Sequence, residues 1–109
     1  MPADPEEVKA RLAELRRSYV EQLPGKLREI GEAWTRLRSG PWSAPDFQSF
    51  HRAVHALAGS GAMFGFEEVS AKARSLDQVL KSLGDQAPDP ETAGLISEGL
   101  ASIREAVAP

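Results

Sequence analysis

Apolar residues recur at spacings of three and four along almost the whole chain, and strand-like alternation is nearly absent. That spacing marks one face of an α-helix, so the chain is restricted to helices packed on helices. Five such stripes follow one another, separated by proline and glycine. The first joins Val8, Leu12, Leu15, Tyr19 and Leu23. It opens with Asp4 as a cap, Pro5 at the first helical position, and Glu6 and Glu7 at the positive end of the dipole. Pro24-Gly25 interrupts it. The second stripe is Leu27, Ile30, Trp34 and Leu37, ended by Gly40-Pro41. The third begins at Ser43 and contains Phe47, Phe50, Val54, Leu57, Gly61 and Phe64, with Gly65 as a C-terminal glycine. Val69, Ala73, Leu76, Leu80 and Leu83 form the fourth, stopped by Gly84. Asp89-Pro90-Glu91 opens the fifth, with Ile96, Leu100, Ile103 and Val107.

One apolar face per helix and short connections predict an all-α, antiparallel up-down four-helix bundle. Stripes two to five supply its core. The first, cut off at Pro24-Gly25, is expected as an additional N-terminal helix packed across one end. Trp34 is on a stripe and belongs to the core, whereas Trp42 lies in a loop and covers the bundle end.

The 109 residues fit a single domain over 1–109 with one modest core. Hydrophobic residues at 41% and charged residues at 27% favour a globular chain over a disordered one. A net charge of -3 gives no basic excess for gripping phosphodiester backbones, so nucleic acid is not an expected partner. Cysteine is absent, which excludes disulfides and thiolate chemistry. The polar, acidic N-terminus is unlike a signal peptide. No apolar run approaches the roughly 18 residues of a membrane span, and a cytoplasmic location is the expectation.

The stretch "FHRAVHALAGSGAMFGFEEVS", from Phe50 to Ser70, carries the candidate chemistry. At roughly 100° per residue, Phe47, Phe50, Val54, Leu57 and Gly61 fall within about 80° of one another. His55 lies roughly 120° from the centre of that stripe, facing solvent. Ala58, Gly59 and Ala62 are read as flanking it on the same exposed face. Side chains on a helix lean toward its N-terminus, so these small residues, one turn on, leave the ring on bare helix. Gly61, on the stripe, suits close approach of a neighbouring helix. Gly59, on the far side, weakens the helix by about 1 kcal/mol relative to alanine without serving the core. Room for another molecule to reach His55 accounts for it. His51 lies nearer the core edge, where a partly buried, hydrogen-bonded ring is expected.

"HALAGSGAMFG", followed by "VSAKA", resembles the histidine-containing phosphotransfer domain of bacterial two-component phosphorelays. The family pattern is a histidine, a leucine two on, often a lysine three on, a glycine four on and another ten on. Here those positions hold His55, Leu57, Ala58, Gly59 and Gly65. "YVEQLPGKLREIGEAW" is similar to the family's first two helices, so the resemblance spans most of the chain. It implies a four-helix bundle with an exposed phosphorylatable histidine, here His55. It implies transfer from the aspartyl phosphate of a response-regulator receiver domain to another receiver, with a hybrid histidine kinase as a further partner. The receiver would supply magnesium. The chain would be a phosphoryl carrier with no cofactor and no catalytic activity of its own. His51, Ala58, Gly59 and Ala62 are the expected docking positions. The family's lysine is Ala58 here, so Arg52, three residues before His55, or Lys72 on the next helix is expected to neutralise the phosphoryl group.

The same residues admit two rival readings. His51 and His55, spaced i, i+4, can place two imidazoles on one metal ion, but neither cysteine nor an H-E-x-x-H pattern accompanies them. A helical docking module without phosphoryl chemistry would use the same bundle and patch. No nucleophile–base pair for hydrolysis stands out among the scattered serines and carboxylates.

Overall fold

The structure, a computed structural model, describes residues 4–107. It contains α1 (Pro5–Ser39), α2 (Ala44–Met63), α3 (Glu67–Leu83) and α4 (Pro90–Val107). The all-α antiparallel bundle is as expected from the sequence, with one correction. The first two stripes form a single helix of 35 residues with Pro24 inside it, and among the described residues no separate helix packs across the end.

The reason is the continuity of the apolar face. Tyr19, Leu23, Leu27, Ile30, Trp34 and Leu37 are all buried along α1, on both sides of the proline. An interior proline costs roughly 3 kcal/mol. Burial of one large apolar side chain contributes about 1.5–3 kcal/mol, so losing Tyr19 and Leu23 together would cost as much or more. Pro24 itself faces solvent.

Side-chain pairings fix the directions of the helices. Tyr19 meets Ser60 and Phe64 near the end of α2, while Trp34 stacks on Phe50 near its beginning. On the other side of α2, Ser70 bonds the Ala58 carbonyl and Asp77 meets His51. The bundle closes between α1 and α4, where Trp34 Nε1 donates to Ser97 Oγ at 3.0 Å. Phe47, Phe50, Val54, Val69, Leu80, Ile96 and Ile103 fill the interior. Trp42 packs on Phe47 and donates to the Asp85 carbonyl, tying the α1–α2 connection to the α3–α4 loop at the bundle end.

Local signals set the helix ends. Ser43 Oγ accepts from the Asp46 N–H, and Asp89 Oδ1 accepts from the Thr92 N–H at 2.7 Å. At the end of α2 the Phe66 N–H reaches the Gly61 carbonyl at 2.7 Å and the Gly65 N–H reaches Ala62. That Schellman pattern needs a left-handed residue, and Gly65 supplies it with φ +82. The turn brings the start of α3 hard against α2. A Cβ on Gly61 would lie 3.2 Å from the Ser70 nitrogen, which confirms the packing role read from the stripe.

Candidate functional site

The two histidines of α2 converge on one carboxylate of α3. His51 Nε2 is 2.7 Å from Asp77 Oδ1, and His55 Nδ1 is 3.1 Å from Asp77 Oδ2. Lys81, one turn further along α3, brings Nζ to 3.3 Å from the same Oδ2. The Asp77 side chain is only 5% exposed, His51 is 25% exposed and His55 is 67% exposed. The cluster thus runs from a buried anion outward to a solvent-facing ring.

Burial alone would raise the Asp77 carboxyl. Hydrogen bonds from His55, His51 and Lys81, with the Lys81 charge, outweigh it and hold the group below its ordinary value. An ionised carboxylate is acceptor-only, so each imidazole must donate to it. His55 therefore carries its proton on Nδ1. In the neutral ring the lone pair is then on Nε2, which has no protein partner among the described residues.

The surroundings of His55 are as bare as the spacing predicts, with one correction. Gly59 and Ala62 are exposed, and a Cβ on Gly59 would meet nothing within 4 Å. Ala58 is not on that surface: it is 8% exposed and packed in the core cluster. Its angular position explains this. Ala58 lies roughly 60° from the centre of the apolar stripe, half the displacement of His55. Close by, α3 is drawn in at Gly61, and its Ser70 Oγ donates to the Ala58 carbonyl.

The cations fall differently from expectation. The Arg52 guanidinium reaches back to Ser49 Oγ at 3.3 Å. Lys72 faces the opposite side of α3, bonding Glu68 and the Ser102 carbonyl of α4. The cation joined to the histidine cluster is Lys81. Sequence reasoning missed both Lys81 and Asp77, because a carboxylate beside a stripe reads as solvated surface. A signal was present: Ser70 and Asp77, seven apart, both border the α3 stripe on the side of Ala73, and both are buried. Two polar residues repeated on one stripe edge mark a seam facing another helix.

Among the described residues no group of three or more histidine, aspartate or glutamate side chains is arranged to hold a metal ion. No described helix is long and apolar enough to cross a membrane.

No curated protein and no solved structure matches the chain significantly. The family model described as Hpt domain does match it, over residues 14–106. This span takes in all of α2 and α3, and with them His51, His55, Asp77 and Lys81. With its helical bundle and a histidine presented on a bare helix face, the chain belongs to the Hpt domain family, the histidine phosphotransfer modules of phosphorelays.

Proposed function

We propose that His55 is the phosphoryl-carrying residue and that it moves the group between receiver domains. The observation that carries this reading is the pairing of an exposed His55 with a buried Asp77 through Nδ1. That bond directs the lone pair of the neutral ring to Nε2, on the side away from the carboxylate. Nε2 attacks the phosphorus of a receiver's aspartyl phosphate, forming the N–P bond as the acyl phosphate P–O bond breaks. The receiver's aspartate leaves as a carboxylate. The product ring is cationic, with its proton still on Nδ1, and the Asp77 carboxylate stabilises that charge. Onward transfer to a second receiver reverses the same steps.

Phosphoryl transfer of this kind depends mostly on in-line positioning and charge neutralisation. The carrier contributes the nucleophile and a docking face in which Gly59 and Ala62 leave access, with His51 half-buried at its edge. The receiver contributes the acidic pocket and magnesium, and a hybrid histidine kinase stands upstream. Asp77 acts as a positioning residue, and Lys81 balances its charge. The test is transfer from a phosphorylated receiver to the wild type and to His55→Gln, read as acid-labile phosphate on the carrier. Label is expected on the wild type alone. Undiminished label on His55→Gln would remove His55 from the role.

A further inference from the structure

The N-terminal half of α1 is not explained by the bundle or by His55. At about 1.5 Å per residue, the 35 residues of α1 span about 52 Å and the 20 of α2 only about 30 Å. The longest dimension of the molecule, 53 Å, is that of α1. Every residue from Asp4 to Ser18 is exposed. The core stripe nevertheless runs on through this rod. Val8 is 44% exposed, Leu12 57% and Leu15 42%, in line with the buried Tyr19 and Leu23. A stripe at spacings of four and three, with nothing packed on it among the described residues, is an unfilled helix–helix seam.

The charges beside the seam describe what would fill it. Lys9 and Arg16 flank it on one side and Arg11 on the other, each within about 80° of its centre. Glu6, Glu7 and Glu14 lie more than about 120° away, on the outer face. Arg16 rests its guanidinium over Phe66. None of the three cations has an ion-pair partner among the described residues. Flanking charges set the choice of partner in helix seams. A second copy laid on this face would oppose Arg11 to Arg16 when parallel. The one opposite-charge pair there, Asp4 with Lys9, falls at the helix cap, and Asp4 is already bonded to the Glu6 N–H. When antiparallel it would oppose Lys9 to Arg16, so like charges meet within the seam in both directions. An anionic lipid surface suits a wide apolar face, whereas this one is narrow, without aromatics, and backed by glutamates.

We propose that the exposed half of α1 docks an amphipathic helix of a partner protein, one whose leucine-type seam is bordered by Asp and Glu. The proposal does not depend on the chemistry at His55. The probe is a synthetic three-heptad peptide with leucine at the seam positions and glutamate beside them, labelled for fluorescence anisotropy. Its control carries lysine in place of glutamate. Vesicles of phosphatidylcholine with phosphatidylglycerol, and sedimentation of the protein alone, form the other arms. The acidic peptide should bind the full chain and the basic one should not. Leu12→Glu and the double variant Arg11→Glu/Arg16→Glu should each weaken binding about tenfold or more, with unchanged melting by circular dichroism. Equal binding of the two peptides, or binding of neither, overturns the proposal. So does association with the vesicles without peptide binding, or a dimer of the wild type that Leu12→Glu dissociates. If Leu12→Glu alters melting, the arginine variant, which leaves the seam intact, decides.

Discussion

On the α2–α3 face a carboxylate is buried, Asp77 at 3% exposure, while on the first half of α1 three aliphatic side chains stand at least 42% exposed. Both arrangements are costly, and both depart from the pattern that places the rest of the chain. The difference lies in how far each is satisfied within the chain itself. Asp77 receives His51, His55 and Lys81, so its burial is compensated by charge-assisted bonds. The Val8–Leu15 stripe receives nothing among the described residues. A departure completed from within makes a site whose geometry is already set. One left incomplete makes a surface that waits for another molecule. The two regions should therefore respond to substitution in different ways.

The largest effect is expected at His55. His55→Ala should lose acid-labile phosphate incorporation completely. His51→Ala, which removes the half-buried ring bonded to the same carboxylate, should retain it. Incorporation lost in His51→Ala and kept in His55→Ala would reverse the assignment and with it the inside-to-outside reading of the cluster.

Next comes a contrast along one stripe of α1. Leu23 is 2% exposed and Leu12 57%. Leu23→Ala should cost about 2–5 kcal/mol in denaturant unfolding, and Leu12→Ala should stay within about 0.5 kcal/mol. Comparable losses at both positions would mean that the N-terminal half of α1 is packed in the isolated protein.

Asp77→Asn should give a smaller effect. The amide keeps the shape but cannot accept from all three donors, so His55 loses its fixed tautomer. Transfer should slow by about tenfold to a hundredfold, by analogy with replacing the partner that orients a metal-bound imidazole. Stability gives an independent readout. The Asp77 carboxyl is held below its ordinary value of 3.8, so the stabilisation it supplies is complete above that value. It is lost as the pH falls toward the depressed folded value. The gap in Tm between wild type and Asp77→Asn should narrow in that acidic window. A gap unchanged through the acid range would mean that Asp77 is not ionised in the fold.

The sequence shows the helices better than it shows the site, for physical reasons. Period, caps and the Gly65 turn are local properties, and they place α2, α3 and α4 to within a residue or two. His55 is legible because its angle from the stripe depends on one helix only. Asp77 and Lys81 matter through a second helix, and periodicity in α3 alone does not reveal which polar residue meets α2. Ala58 fails similarly: its own angle is intermediate, and packing from outside α2 decides that it is covered. Pro24 misleads because a local breaking tendency is weighed without the tertiary burial of Tyr19 and Leu23 on its far side.

Gly59 gives the smallest effect, and it sharpens the reading of the α2–α3 face, since it is a structural cost beside the proposed site. The added Cβ would meet nothing within 4 Å, in contrast to Gly61, where it would press on the α3 backbone at 3.2 Å. Alanine at an exposed helical position with open space stabilises by up to about 1 kcal/mol over glycine, so Gly59→Ala should raise Tm slightly, while Gly61→Ala should lower it. A side chain at Gly59 leans toward the N-terminus, over the His55 ring. Gly59→Leu should therefore leave the bundle folded and slow phosphoryl transfer from a receiver. Its reaction with a small-molecule phosphoryl donor, which needs less room, should fall much less. That split separates lost access from lost chemistry. A Gly59→Leu protein that melts normally and accepts from the receiver at the wild-type rate would leave the glycine without a role in docking.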